Sequence, residues 1–95
     1  MGMKEAYEQR LQAQLDEWSA EISALKARAD KAEADARLDY YKHIENLRAM
    51  QEAARAKLSA LHQAGDDAWE DLKAGLDSAW GALGEAVRSA VSRFQ

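Results

Sequence analysis

The sequence predicts an all-α protein: a long-helix hairpin of coiled-coil type, assembling as an elongated antiparallel dimer or four-helix bundle. Three observations predict it. Proline is absent and charged residues make up 32% of the 95 residues, the composition of long helices rather than of mixed α and β domains. Apolar residues recur at steps of four and three through the first two-thirds of the chain, the seam of a coiled coil. The last third stacks on itself in rows of eleven, with Ala68, Ala79 and Ala90 aligned, then Trp69, Trp80 and Val91, then Leu72, Leu83 and Phe94. Eleven residues are three helical turns, so this hendecad repeat returns the bulky side chains to one stripe of an amphipathic helix.

In chain order, residues from about Lys4 to Gln63 contain no breaker and read as one helix. Such a helix would be on the order of 90 Å long. Its seam runs through Tyr7, Leu11, Leu15, Trp18, Ile22 and Leu25, thins to Ala29, Ala32 and Ala36, and resumes at Tyr40, Ile44, Leu47, Gln51, Ala54, Leu58 and Leu61. The stretch Ala27–Arg37 is almost purely Ala and charge. It has high helix propensity and little to bury, so it reads as a thin waist where a neighbour approaches closely. Opposite charges one turn apart, such as Lys26 with Asp30 and Glu52 with Arg55, mark a solvated outer face and contribute about 0.2 to 0.5 kcal/mol each.

A break is expected at residues 64–67. Gly65 can take the left-handed conformation that ends a helix, and Asp66 or Asp67 can cap the next, Asp67 with Glu70 having capping-box spacing. The alternative is that Gly65 only weakens a continuous rod. Folding at Gly65 sets Leu61 near Trp69, Leu58 near Leu72, Ala54 near Leu76, Leu47 near Leu83, Tyr40 and Ile44 near Val87 and Val91, and Ala36 near Phe94. Trp80 joins the same stripe. A second row of small residues, Ala68, Gly75, Ala79, Ala82, Ala86 and Ala90, suggests a second neighbour for this helix. The second helix, about 67–94, then runs out at the waist. Tyr7, Leu11, Leu15, Trp18, Ile22 and Leu25 are left without a partner in a single 1–95 helical domain. Exposing them would forfeit roughly 1.5 to 3 kcal/mol each, so they are the predicted homodimer interface.

The function classes narrow by composition. A net charge of −4, with bases interleaved among acids, argues against nucleic acid, which needs a basic face. Cysteine is absent, which excludes disulfides, thiolate catalysis and sulfur-rich metal sites. The N-terminus runs into charge without a secretory apolar core, Ala6 stands where a myristoylation motif requires Ser or Thr, and no apolar run approaches the roughly 20 residues of a membrane span. A cytoplasmic chain is the resulting expectation.

Chemical sites are hard to find. His43 and His62 are the only histidines, and neither has a nucleophile-and-base arrangement. Asp39 and His43, one turn apart, could supply two metal ligands, too few for a site. The acid pairs Asp16-Glu17 and Asp66-Asp67 sit on an outer face and at a helix cap, without the enclosure that shifts a catalytic pKa. No enzyme activity, metal or cofactor is expected. Trp18, Trp69 and Trp80 read as packing anchors. Their other reading is a lipid interface, where hendecad helices lie flat, but residues 66–95 carry six acids against three bases, the wrong sign for anionic lipid.

Through Leu15-Asp16-Glu17-Trp18-Ser19-Ala20-Glu21-Ile22, Lys31-Ala32-Glu33-Ala34-Asp35-Ala36, Tyr40-Tyr41-Lys42 and Ala68-Trp69-Glu70-Asp71-Leu72-Lys73-Ala74-Gly75, the chain resembles a group of small bacterial coiled-coil proteins, some of them labelled stress-response proteins. Its eleven-residue rows are more distantly similar to late-embryogenesis-abundant proteins and exchangeable apolipoproteins, although the three Trp residues and defined stripe favour a folded state. The resemblance implies a non-enzymatic structural or interaction protein in stress physiology, acting through helix–helix association with itself or an unidentified protein. The alternative it implies is reversible binding of a membrane or lipid surface by the C-terminal helix.

Overall fold

The computed structural model describes residues 2–94, which form three helices and no strand: α1 Met3–Lys31, α2 Ala34–Gln63 and α3 Trp69–Arg93. Short connections turn each helix back on the last, so α1 and α3 run parallel to one another and antiparallel to α2. The bundle measures 51 × 19 × 18 Å, close to the roughly 45 Å expected of a 30-residue helix.

The long first helix expected from the sequence is two helices. The chain turns at Ala32 (φ −78°, ψ 161°) and Glu33 (φ −63°, ψ 155°), both extended. No Gly or Pro punctuates this point, and Ala, Asp, Glu, Lys and Arg differ by only a few tenths of a kcal/mol in helix propensity. Folding back hides the whole α1 seam, at roughly 1.5 to 3 kcal/mol per large side chain. That burial outweighs a few helical hydrogen bonds, each about 1 kcal/mol net. The turn also satisfies itself: Ala32 N–H donates to Ala29 O at 3.1 Å, Arg37 N–H to Glu33 O at 2.8 Å, and the Arg37 guanidinium to Ala32 O at 3.0 Å. Ala29, fully buried, leaves room for the close approach; the waist is a hairpin turn.

The residues assigned to a dimer interface therefore change role. Tyr7, Leu11, Leu15, Ile22 and Leu25 are buried within their own chain, and Trp18 is partly buried against the same core. The N-terminal seam no longer requires a second copy.

Burial in all three helices follows the heptad. In α2 the buried positions are Ile44, Leu47, Gln51, Ala54, Leu58 and Leu61. In α3 they are Trp69, Leu76, Leu83 and Ala90 at intervals of seven, with Trp80 and Val87 between. The eleven-residue rows expected from the sequence do not set the buried positions of α3, which recur at intervals of seven, the spacing of the seams on α1 and α2. Leu72, expected to pack in the hairpin, is 38% exposed as a result. Val91 and Phe94 are only half-buried at the far end, as is Tyr40.

The α2–α3 connection occupies residues 64–68 and differs in detail from its expected capping. Gly65 does not have a positive φ, and neither Asp66 nor Asp67 makes a side-chain cap. α2 ends through extended Ala64, whose N–H reaches Ala60 O and Leu61 O. The Lys4 ammonium donates to Ala64 O at 2.5 Å and His62 O at 3.3 Å, so a cation from α1 takes the carbonyls that a left-handed glycine would have helped satisfy. The α3 turn starts from Gly65 O, which accepts from Ala68 and Trp69 N–H. The longer connection shifts the hairpin register by about one turn: Phe94 stacks on Tyr40, ring centroids 3.9 Å apart, rather than meeting Ala36.

Candidate interaction surface

α1 packs most extensively on α2 and least on α3, and the α1–α3 side is where the bundle is least finished. Near the α2–α3 loop it is tied shut. The Tyr7 hydroxyl donates to Asp77 Oδ1 at 2.5 Å and approaches Lys73 O at 3.3 Å, and its ring meets Trp69 at 5.9 Å. Burial, and then the Asp77 carboxylate that accepts its proton, push the Tyr7 phenol far above its ordinary pKa, because the phenolate would lose both water and the hydrogen bond. The Lys73 ammonium lies 5.6 Å from the Tyr7 ring and 5.8 Å from the Trp69 ring. One turn further on, Trp80 Nε1 donates to Leu11 O at 3.1 Å, a buried indole finding its partner on a helix carbonyl.

Beyond Trp80 the seam opens. The half-buried Trp18 indole lies over Gly84, where an added Cβ would stand 2.9 Å from its Cζ2. Gly81, one turn earlier, has nothing within 4 Å of its missing Cβ. Shallow depressions of about 530 and 330 Å³ flank the indole, the first reaching Arg10 and Gly81, the second Glu21 and Val91. The row of small residues noted in the sequence lies on the α2 side of α3, where Ala86 and Ala90 share a depression with His43 and Leu47: Ala90 is buried, Ala79 and Ala86 are half-buried, and Ala68, Gly75 and Ala82 face solvent.

At the other end of the molecule, the α1–α2 turn and the C-terminus of α3 form a looser cluster. Tyr40 OH donates to Phe94 O at 3.2 Å, His43 meets the Phe94 ring edge-on at 5.4 Å, and Arg93 donates to Asp39 at 3.2 Å. Tyr41 OH donates to Asp30 at 2.6 Å, and the Lys26 ammonium reaches the same carboxylate at 3.0 Å. These two hydrogen bonds, Tyr41 first, hold Asp30 below its usual carboxylate range, and the Asp30 bond raises Tyr41 in turn.

The candidate chemical residues are distributed without convergence. Asp39 and His43 lie 3.7 Å apart, but Asp39 is shared with Arg93. His62 lies 3.4 Å from Glu8 beside a shallow α1–α2 groove of about 360 Å³ lined also by Arg55 and Ser59. Among the described residues no three His, Asp or Glu are grouped as a metal site would require, and no helix is long and apolar enough to cross a membrane. Sequence reasoning missed Asp77, Lys4 and the contact between Trp18 and Gly84. Three glycines in one helix were the available signal, but only Gly84 meets another helix's side chain.

Compared with known proteins, the chain matches no family model, no curated protein and no solved structure.

Proposed function

We propose that this chain is a non-enzymatic helical interaction protein of stress physiology, acting by helix–helix association, with the open seam between α1 and α3 as the surface that receives a further helix. The observation that carries this reading is Trp18. A large aromatic side chain stands half-exposed between two depressions on the seam between α1 and α3, the helix pair that packs least, and aromatic residues anchored in grooves dominate helix-docking energetics. Gly81 of α3 lines the first depression and has nothing within 4 Å of its missing Cβ, which permits a helix to approach closely. A second copy of the chain is the first partner to test.

Sedimentation velocity of the full chain over a rising concentration series provides that test. Association that Gly81→Glu abolishes, with the helical circular dichroism unchanged, supports the seam. A monomer at every concentration rejects self-association, and a partner retained equally by Gly81→Glu rejects the seam. Lipid binding through an opened α3 is less favoured by the closed bundle, since Trp69, Leu76, Trp80, Leu83 and Val87 would have to leave the core together.

A further inference from the structure

The residues of the α1–α2 turn are helix formers. Ala32 and Glu33 are extended, yet both residue types favour helix, and residues 27–37 contain neither Gly nor Pro. Glu33, the N-cap of α2, makes no side-chain cap. Arg37 N–H to Glu33 O already has helical spacing, and Ala32 N–H reaches Ala29 O where a helix offers Arg28 O. Running the helix through the turn pairs the amides of residues 33–36 with the carbonyls of residues 29–32, and gives up the Arg37 guanidinium bond to Ala32 O. A lone chain bends here because it has no other cover for the α1 seam. The α2–α3 connection is no comparable hinge, since it is longer, contains Gly65 and is fastened by Lys4 on Ala64 O.

The seams of α1 and α2 also stay in phase across the turn. Buried Ile22 and Ile44, and likewise Leu25 and Leu47, stand 22 residues apart, about six turns of a helix. Between them Ala29, Ala32, Ala36, Tyr40 and Ile44 follow at a step of three and then steps of four, a spacing that unwinds a supercoil locally and keeps its face. A straightened α1–α2 helix therefore carries one continuous stripe. We propose that the turn opens and the chain exchanges α1 with a second copy. Two continuous helices of residues 3–63 then lie antiparallel, with α1 of each on α2 and α3 of the other. The bonds of Trp80 Nε1 to Leu11 O, Tyr7 to Asp77 and Lys4 to Ala64 O are all kept, and each now joins two chains.

The second copy resolves a conflict that one chain cannot. Alone, the chain must choose between an unbroken helix and a covered α1 face; exchanged, it has both. The interface is the face that already holds the single bundle together, so no new patch is required. At the two-fold axis the two Ala-rich waists cross, where Ala29, Ala32 and Ala36 let helices approach closely, and Ala36, exposed beside the bent turn, enters the crossing. α3, which ends at Arg93 opposite Asp39, leaves that crossing to the two long helices. The exchange shares with the seam reading only its partner, because Gly81 and the depressions beside Trp18 take no part in it.

Joint refolding of two full-length variants tests the exchange. Gln12 and Ser59 line the same α1–α2 groove, and the chain has no cysteine, so Gln12→Cys and Ser59→Cys chains are unfolded, mixed, refolded at rising concentration and treated with a short bismaleimide. A product joining the two chains, absent when either variant is refolded alone, is expected; Gly81→Glu in both chains should leave it unchanged, and Glu33→Pro in both should abolish it. Proline suits the bent turn, because Glu33 has φ −63°, Ala32 before it is extended, and the Glu33 N–H donates to no backbone carbonyl among the described residues, but it breaks a helix interior. An unchanged urea midpoint or a higher one shows that the Glu33→Pro hairpin folds; if it does not fold, Glu33→Gly decides, and should lower the dimerisation constant roughly tenfold. Small-angle scattering should give a dimer about twice as long as the 51 Å bundle, as a continuous helix of roughly 90 Å requires. The proposal is overturned by absence of the product at every concentration, by a product indifferent to residue 33, or by a dimer no longer than the single bundle. A product lost with Gly81→Glu also overturns it, and returns self-association to the seam.

Discussion

The two ends of the bundle are made by the same three helices with the same heptad spacing, yet one is closed and the other is not. At the α2–α3 loop, Tyr7 and Trp69 are buried, Leu61 is fully covered, and Lys4 from α1 caps α2. At the α1–α2 turn, Phe94 and Tyr40 stack at the surface and Leu38 stands in solvent. The difference follows from helix length: α3 ends at Arg93 opposite Asp39, while α2 begins five residues earlier at Ala34. Without a third helix to cover it, that overhang has few apolar groups to hide, and its sequence is Ala and charge apart from Leu38. End closure in a short bundle is thus decided by which helix runs out first.

The largest expected effects break or keep that contrast directly. Leu61→Ala should cost about 2 to 5 kcal/mol by emptying a fully buried site. Phe94→Ala should cost about 1 to 2 kcal/mol because only part of the ring leaves cover, and Leu38→Ala should stay within about 0.5 kcal/mol. Urea midpoints at unchanged slope measure all three. Native-state hydrogen exchange should find the amides of residues 36–42 and 90–93 opening before those of residues 50–61. Equal costs at Leu61 and Phe94 would dissolve the distinction between the ends.

Between the ends lies Gln51, 3% exposed in the apolar stripe of α2, its Nε2 without a hydrogen-bond partner. A buried unpaired amide costs about 1 to 3 kcal/mol, so Gln51→Leu should raise stability by about 1 to 2 kcal/mol. A loss on this substitution would mean that the amide is satisfied and that the middle of the bundle is as well made as its closed end.

Gln51 also marks how far the sequence could be read. Its place on the seam was legible, as were Leu11, Leu15, Leu47 and Leu61, because burial of one helical face writes a heptad into residue type. The turn at Ala32 and Glu33 was not legible: no local signal sets it, and only the summed burial of distant side chains selects it. The same blindness hid the capping of α2, since Lys4 is sixty residues from Ala64. Gly65 lies in the α2–α3 connection without the left-handed geometry expected of it, because the Lys4 ammonium takes the Ala64 carbonyl instead.

Tyr7 supplies a sharper test of the closed end. Tyr7→Phe removes the hydrogen bond to Asp77 and should cost about 1 kcal/mol at neutral pH. The folded state favours the neutral phenol, so the Tyr7 contribution is fully present below about pH 10, where the unfolded phenol ionises, and is lost as pH climbs toward the higher folded pKa. Stability should fall in that alkaline window in the parent chain and fall less in Tyr7→Phe; Tyr41, raised by its bond to Asp30, leaves a residual slope. An identical alkaline slope in both proteins would show that Asp77 does not hold the closed end through this phenol.

The smallest effects come from the two glycines that bracket the transition from closed to open seam. Both lie inside α3, so replacing either by Ala gains about 0.5 to 1 kcal/mol from helix propensity alone. At Gly81 nothing stands in the way of the methyl group, and that gain should appear in full. At Gly84 the methyl group would press on Trp18 Cζ2, so the indole must move outward and lose cover that offsets the gain. Gly84→Ala should therefore be neutral or mildly destabilising, with Trp18 emission shifted to the red in a background where Trp69 and Trp80 serve as unchanged internal references. Equal stabilisation by both substitutions, without a spectral change, would mean that Trp18 stands free of α3 and that its indole does not cover Gly84.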